Sequence, residues 1–457
     1  MTVTDSTVAQ PSSSVMGELG RLLILAWPVA LAHLGSMLMG VTDVYMVGQL
    51  GDQPLAAVSL GHTYSFAFMF PLLGVAIGLD PLFAQAFGAQ QPERAGAALA
   101  RGAALLVALC IPIMGLQLLS GPLLLLVGQE PAIVEAATPY IWIRALSVIP
   151  FALFSVIRQF LQGAGRMWQG TVAIVVGNIA NVALNGWLLF GWFGGPTLGP
   201  SGTAWATVGS TTLMMIVLIG LCIPTLRRGA PRRTDALDFK ALLPRMGVCL
   251  PIGLQVGLEG WGFSISTFMV GTLGETALAA HTVALTLASL AFMVPLGISS
   301  AAATRVGNLL GAGHAWGRAG WLSVGIGAAS MVLFASAFLT LPGWLSSWFL
   351  QGEEALALAT LLMPVAAGFA LFDGTQVVAF GVLRGAGDTT VPAIANIVGY
   401  YLVGLPLGAV LLFGFDMGAV GVWIGLATAL FCVAVILLFR LGFTQRQGGY
   451  LVGASRP

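Results

Sequence analysis

Three acidic residues of this 457-residue chain stand deep inside apolar stretches: Asp43, Glu259 and Asp373. An ionised carboxylate surrounded by hydrocarbon costs several kcal/mol, so such a group faces protein interior or water and usually marks an ion or substrate path. On a helix, Glu259 shares its face with Gln255 and Phe263 at i−4 and i+4, and Asp373 with Phe369 and Gln376 at i−4 and i+3. Aromatic faces attract cations and accept flat apolar groups, while a carboxylate supplies countercharge, so each set reads as a wall for a cationic amphiphile. No basic residue is expected mid-span to pair with these acids; Arg384 lies about three turns beyond Asp373, at a helix end. An unpaired buried carboxylate can take up a proton near neutral pH, or it can join carbonyl oxygens in holding sodium, with Glu259 and Asp373 as the ligands. The plainer alternative is a neutral acid bonded to a neighbouring helix. Asn178, Asn181 and Asn185, at i, i+3 and i+7, also share one face and read equally as cavity lining or as interhelical bonds worth about 0.6 kcal/mol each. Asp80, in Gly78-Leu79-Asp80-Pro81, reads as a helix cap, and His33, His62, His281 and His314 lack metal-ligand spacing and read as packing residues.

Helices in lipid must position these groups. The chain is 58% hydrophobic and 8% charged, with a mean hydropathy of +0.94, whereas a soluble domain carries about a quarter charged residues. Its 61 glycines and 23 prolines lie within apolar runs, where membrane helices tolerate them. A net charge of +1 provides no field for nucleic acid, and Cys110, Cys222, Cys249 and Cys432 have no CxxC spacing that would indicate zinc or a disulfide framework. Apolar runs of about 20 residues predict spans at 22–47, 55–78, 97–118, 138–160, 171–191, 200–223, 245–270, 279–300, 321–342, 360–382, 392–413 and 418–440.

Lys and Arg concentrate on the cytoplasmic side of membrane helices. The turns after even-numbered spans hold Arg94, Arg101, Arg158, Arg166, the cluster from Arg227 to Arg245, Arg305, Arg318, Arg384, Arg440, Arg446 and Arg456. Arg21 joins them at the N-terminus. Arg144, near the start of the fourth predicted span, is the exception, and the opposite loops hold only acids, among them Asp52, Glu130, Glu275, Glu353 and Asp416. Both termini are therefore expected in the cytoplasm.

The sequence also repeats. Met46-Val47-Gly48 with Leu55-Ala56-Ala57 returns as Met269-Val270-Gly271 with Leu278-Ala279-Ala280, and Leu161-Gln162-Gly163-Ala164-Gly165 as Leu383-Arg384-Gly385-Ala386-Gly387. We therefore expect an all-α polytopic membrane protein of twelve helices in two pseudo-symmetric lobes. The expected division is an N-terminal tail (1–20), an N-lobe (21–223), a cytoplasmic linker (224–244), a C-lobe (245–440) and a C-terminal tail (441–457). Two like halves are the usual device for alternating access; an inert bundle or a channel is the plainer reading. None of the three acids repeats: Asp43 aligns with Ser266, Glu259 with Ser36 and Asp373 with Pro150.

The ordered set from Pro28 to Asp43, Met46-Val47-Gly48, Gly88-Ala89, Gly163-Ala164-Gly165, Asn181 to Asn185, Glu259, Ala279-Ala280-His281 and Leu383 to Gly387 resembles the multidrug and toxic compound extrusion (MATE) transporters, in particular their NorM-like bacterial branch. The resemblance implies an antiporter of a bacterial inner membrane, not an enzyme, that exports cationic lipophilic compounds in exchange for Na+ or H+ without a cofactor, expected as a monomer. It implies that Glu259 and Asp373 form the cation site of the C-lobe, and that Asp43, near Asn181 and Asn185, takes a proton in the N-lobe. Where some sodium-coupled members have a tyrosine one turn before the tenth-helix aspartate, this chain has Phe369, which leaves the ion open. Two other readings are a lipid-linked oligosaccharide flippase, whose anionic substrate calls for mid-membrane arginines, and a membrane-embedded enzyme, which needs clustered catalytic groups.

Overall fold

The structure, a computed structural model, describes Gln10 and residues 14–228 and 243–451. Most of the expected N-terminal tail, the core of the linker with Arg232, Arg233 and Lys240, and the final residues with Arg456 lie outside the described residues. The described chain is helical throughout: α1 (Val15–Gly48), α2 (Asp52–Ile77), α3 (Asp80–Gly88), α4 (Pro92–Leu118), α5 (Ser120–Leu126), α6 (Pro131–Ala145), α7 (Val148–Gly163), α8 (Trp168–Leu189) and α9 (Pro200–Arg228) form the first half. The second half comprises α10 (Leu243–Gly271), α11 (Glu275–Gly311), α12 (Gly317–Thr340), α13 (Pro342–Ser347), α14 (Glu353–Gly385), α15 (Thr390–Ile397), a π-helical turn (Val398–Gly404), α16 (Leu405–Phe413) and α17 (Gly418–Arg446). Among the described residues ten spans are long and apolar enough to cross a membrane, and a bent pair, α6 with α7, makes an eleventh. Helix α10 completes the twelve spans of this all-α polytopic membrane protein. Four helices extend into the expected tails and linker: α1 takes in residues 15–20, α9 continues through Arg228, α10 begins at Leu243 and α17 continues through Arg446.

The halves repeat their helix order, down to the short α5 and α13 that follow α4 and α12. They differ in continuity. The second span of the first half breaks between α2 and α3 at Gly78-Leu79, just before Asp80-Pro81, where α11 runs unbroken for 37 residues. The fourth span bends by 46° between α6 and α7, where α14 is one 33-residue helix. Pro150 gives the cause of the bend: its ring lacks an N–H and would crowd the carbonyl of Leu146, one turn earlier. Ser147 caps the interrupted turn, its hydroxyl donating to the Arg144 carbonyl at 2.7 Å.

Close contacts divide the described chain into two compact units, 1–30 with 84–90 and 254–457, and 31–83 with 91–253. The first thus includes the opening of α1 and all but the start of α3. Arg305 on α11 clasps Glu18 on α1 with both branches of its fork, Nε to Oε1 at 2.6 Å and Nη2 to Oε2 at 2.8 Å, and both side chains are buried. Helix α3 lies backbone to backbone on α11: a Cβ on Gly88 would come within 2.1 Å of the Asn308 carbonyl oxygen, so only glycine fits. Gln85 adds side-chain bonds to the carbonyls of Gly385 and Tyr450.

Candidate functional site

The acids occupy two clusters, one in each unit. In the first, Glu259 sits near the middle of α10 and Asp373 within α14, close enough for their charges to interact. Asn396 of α15 donates from Nδ2 to Glu259 Oε2 at 3.0 Å, and Gln376 from Nε2 to Asp373 Oδ1 at 3.4 Å. Tyr400 comes from the π-helical turn, which seats its hydroxyl beside Glu259 without closing a hydrogen bond of good geometry. Two buried oxygens here have no partner, Asn396 Oδ1 and Tyr400 Oη, and neither has Gln255 Oε1, one turn before Glu259 on α10. Two carboxylates with the Asn396 and Tyr400 oxygens beside them are a donor set whose chemistry suits a hard monovalent cation such as sodium.

An aromatic wall adjoins the acids. Phe263 packs edge-on against Phe369, with centroids 6.1 Å apart, and against Tyr400 at 5.8 Å, while Phe369 meets Trp423 at 5.4 Å. The wall is braced behind by His281, which is fully buried. The Trp423 indole N–H donates to His281 Nδ1 at 3.1 Å, so the ring proton lies on Nε2 and points to Thr267 Oγ1 at 3.1 Å. Four of the sequence-predicted residues (Glu259, Phe263, Phe369 and Gln376) thus meet here with Asp373, while Gln255 is buried one turn before Glu259 on α10. Sequence reasoning missed Asn396, Tyr400 and Trp423. A polar Asn396 in an apolar run was a usable signal; the π turn that rotates Tyr400 was not.

In the second unit, Asp43 is 2% exposed near the end of α1. Its Oδ1 accepts from Asn181 Nδ2 at 3.0 Å and from Asn185 Nδ2 at 2.8 Å, and its Oδ2 from the Thr207 hydroxyl at 2.9 Å. Thr207, on α9, also lies 3.0 Å from the Thr203 carbonyl, and its single proton can serve only one of these acceptors at a time. Asn178 takes no part: it donates to the carbonyls of Gly35 and Ile174, joining α8 to α1.

Arg144 differs most from the sequence reading. The bent span covers 131–163 rather than beginning at 138, which places Arg144 at mid-span beside the bend. It is buried, on a helix whose Tyr140 and Ile141 pack with Met46 and Val47 a turn beyond Asp43, and its charge acts on that acid. The expectation that no basic residue lies mid-span opposite these acids is therefore corrected for Asp43. Hydropathy starts the apolar run at residue 138, past Glu130 and Glu135, whereas the helix begins at Pro131.

Two like six-helix halves, each burying an acid of its first span against an asparagine of its fifth, define a polytopic carrier-type membrane protein. The sequence pattern of the MatE family matches residues 28–187 and again 251–410, with starts 223 residues apart as in the internal repeat, and the chain belongs to that family. It is 35% identical to a probable multidrug resistance protein NorM of Mesorhizobium japonicum, over 96% of this chain and 97% of the relative. It is 36% identical to the multidrug resistance protein NorM of Burkholderia vietnamiensis, over 91% and 92%. Among solved structures, the eukaryotic MATE transporter AtDTX14 has the same fold, with a TM-score of 0.87 at 24% identity, covering 95% of this chain and 98% of that one.

Proposed function

We propose that this chain is a multidrug exporter that moves cationic lipophilic compounds out of the cell by antiport with Na+ or H+. Support comes from the NorM relatives, which are named as multidrug resistance proteins, and from the pairing of Glu259 and Asp373 beside an aromatic wall. That pairing carries the reading. A drug cation and a coupling ion compete for the same carboxylates: sodium or a proton arriving from outside displaces the drug, and the bare acids then favour another cation from the cytoplasm. One charge moving down 100 mV releases about 2.3 kcal/mol, enough for roughly a 50-fold drug gradient. Asp43 provides a second loading site, and Asn181 and Asn185 hold it. The chain works as a monomer in the inner membrane, with both termini in the cytoplasm and lobes 21–223 and 245–440 joined by the linker 224–244.

The decisive experiment uses proteoliposomes with an imposed sodium or pH gradient, one at a time, and an ethidium-like dye. Glu259→Gln and Asp373→Asn are each expected to abolish gradient-driven efflux; full efflux by both variants would end this reading. A flippase for an anionic lipid gains one favourable observation, the mid-span Arg144, but that charge already acts on Asp43.

A further inference from the structure

Arg144 is 5% exposed, beside the bend between α6 and α7. Its Nη1 makes one long bond of 3.5 Å to the Tyr140 hydroxyl, its guanidinium lies 5.9 Å from the Tyr140 ring centre, and its Nε is buried without a partner. A guanidinium so poorly satisfied by hydrogen bonds needs a charge to hold it in place. Tyr140 and Ile141 on its helix pack in one buried cluster with Met46 and Val47, a turn beyond Asp43 on α1, and the titratable groups that its charge acts on are Asp43, His62 from α2 and Tyr140. The only acid among them is Asp43, whose remaining contacts (Asn181, Asn185 and Thr207) are all neutral donors.

We propose that Arg144 is the resident counter-ion of Asp43, a positioning residue that sets the charge of this unit through its life in the membrane. With Asp43 ionised and the site empty, the pair is neutral. A proton or monovalent cation arriving at Asp43 leaves a net charge of +1 with no second acid to absorb it. Loading therefore repels a cationic drug from this unit, and an incoming drug must compete with a tethered cation for the same carboxylate. The first half would then operate by exchange of countercharge, whereas Glu259 and Asp373 have no such guanidinium acting on them among the described residues. This inference rests on the reading of Asp43 as a loading site.

The test is initial-rate transport of a monocationic dye into proteoliposomes under a fixed ion gradient, with thermal unfolding of each purified variant. Arg144→Lys keeps the charge and is expected to hold KM and kcat within about twofold of the parent. Arg144→Gln opens the acid to outside cations: KM should fall by about tenfold, a modest change for one charge several ångströms away at protein-like dielectric, while kcat falls because loading no longer expels the dye. Loss of structure does not tighten KM. Asp43→Asn with Arg144→Gln leaves neither charge alone and should melt higher than either single variant. Parental KM and kcat in Arg144→Gln, equal damage from Arg144→Lys, or no recovery in the double variant would overturn the proposal, and the double variant decides the matter if Arg144→Gln does not fold. If Asp43→Asn alone transports at full rate, the loading-site reading has failed instead.

Discussion

Thr207 shows how much a single hydroxyl can report. When Asp43 is ionised, the Thr207 proton belongs to Oδ2; when Asp43 is loaded with a proton, the carboxyl donates and Thr207 turns to the Thr203 carbonyl. Thr207→Val should therefore leave the helices in place yet reduce gradient-driven transport by roughly tenfold, since a hydrogen bond to a charged group is worth about 1.5–3 kcal/mol and 1.4 kcal/mol is tenfold. Parental rates in the same vesicle assay would show that the hydroxyl is idle. At the other cluster, Tyr400→Phe removes a buried oxygen that lacks a protein partner, so folding should be untouched. If sodium uses that oxygen, the sodium concentration giving half-maximal transport should rise several-fold; an unchanged value would mean that the shell closes without it.

Helices hold these groups through a few irregularities. Pro150 breaks the fourth span and sets Arg144 at the bend. The π turn at Val398–Gly404 turns Tyr400 toward the acids, and such turns recur where a side chain must be re-aimed at a site. Glycines let α17 come close to that turn: a Cβ on Gly425 would lie 2.5 Å from the Gly404 carbonyl oxygen. Gly425→Val should therefore prevent correct packing, seen as loss of the monodisperse peak in detergent, whereas Gly220→Val, where a Cβ would meet nothing, should be silent. The clasp between Glu18 and Arg305 anchors the start of α1 on α11. Removing one partner strands a buried charge, so Arg305→Ala should cost about 3–5 kcal/mol, while the double change Glu18→Leu with Arg305→Met should cost much less. Thermal unfolding of the two variants measures the difference.

Over the whole molecule, each half buries an acid of its first helix against an asparagine of its fifth: Asp43 with Asn181 and Asn185, Glu259 with Asn396. The positions are not equivalent in sequence, since Asp43 aligns with Ser266 and Glu259 with Ser36. One scaffold thus carries two acids at different points along corresponding helices. The distribution of arginines predicts a sidedness that labelling can check. A cysteine replacing Glu353 should react with an impermeant reagent added outside cells and one replacing Arg318 only after the membrane is opened, in a background free of the four native cysteines; the reverse pattern would invert the topology.

The sequence by itself determined the solvent, the twelve spans, the duplication and the three acids, because lipid penalises charge and unpaired backbone so heavily that each deviation from an apolar run is visible. It also paired Gln255, Phe263, Phe369 and Gln376 with their acids, since these share one helix with them and 3.6-residue periodicity sets the face. Only the tertiary structure decided which asparagines serve Asp43, that Asn178 does not, and that Thr207, Asn396, Tyr400 and Arg144 belong to the two clusters. Those contacts join helices far apart in sequence, and their geometry depends on the Pro150 bend and the π turn, which change the register of a helix face after the point where simple periodicity can follow it.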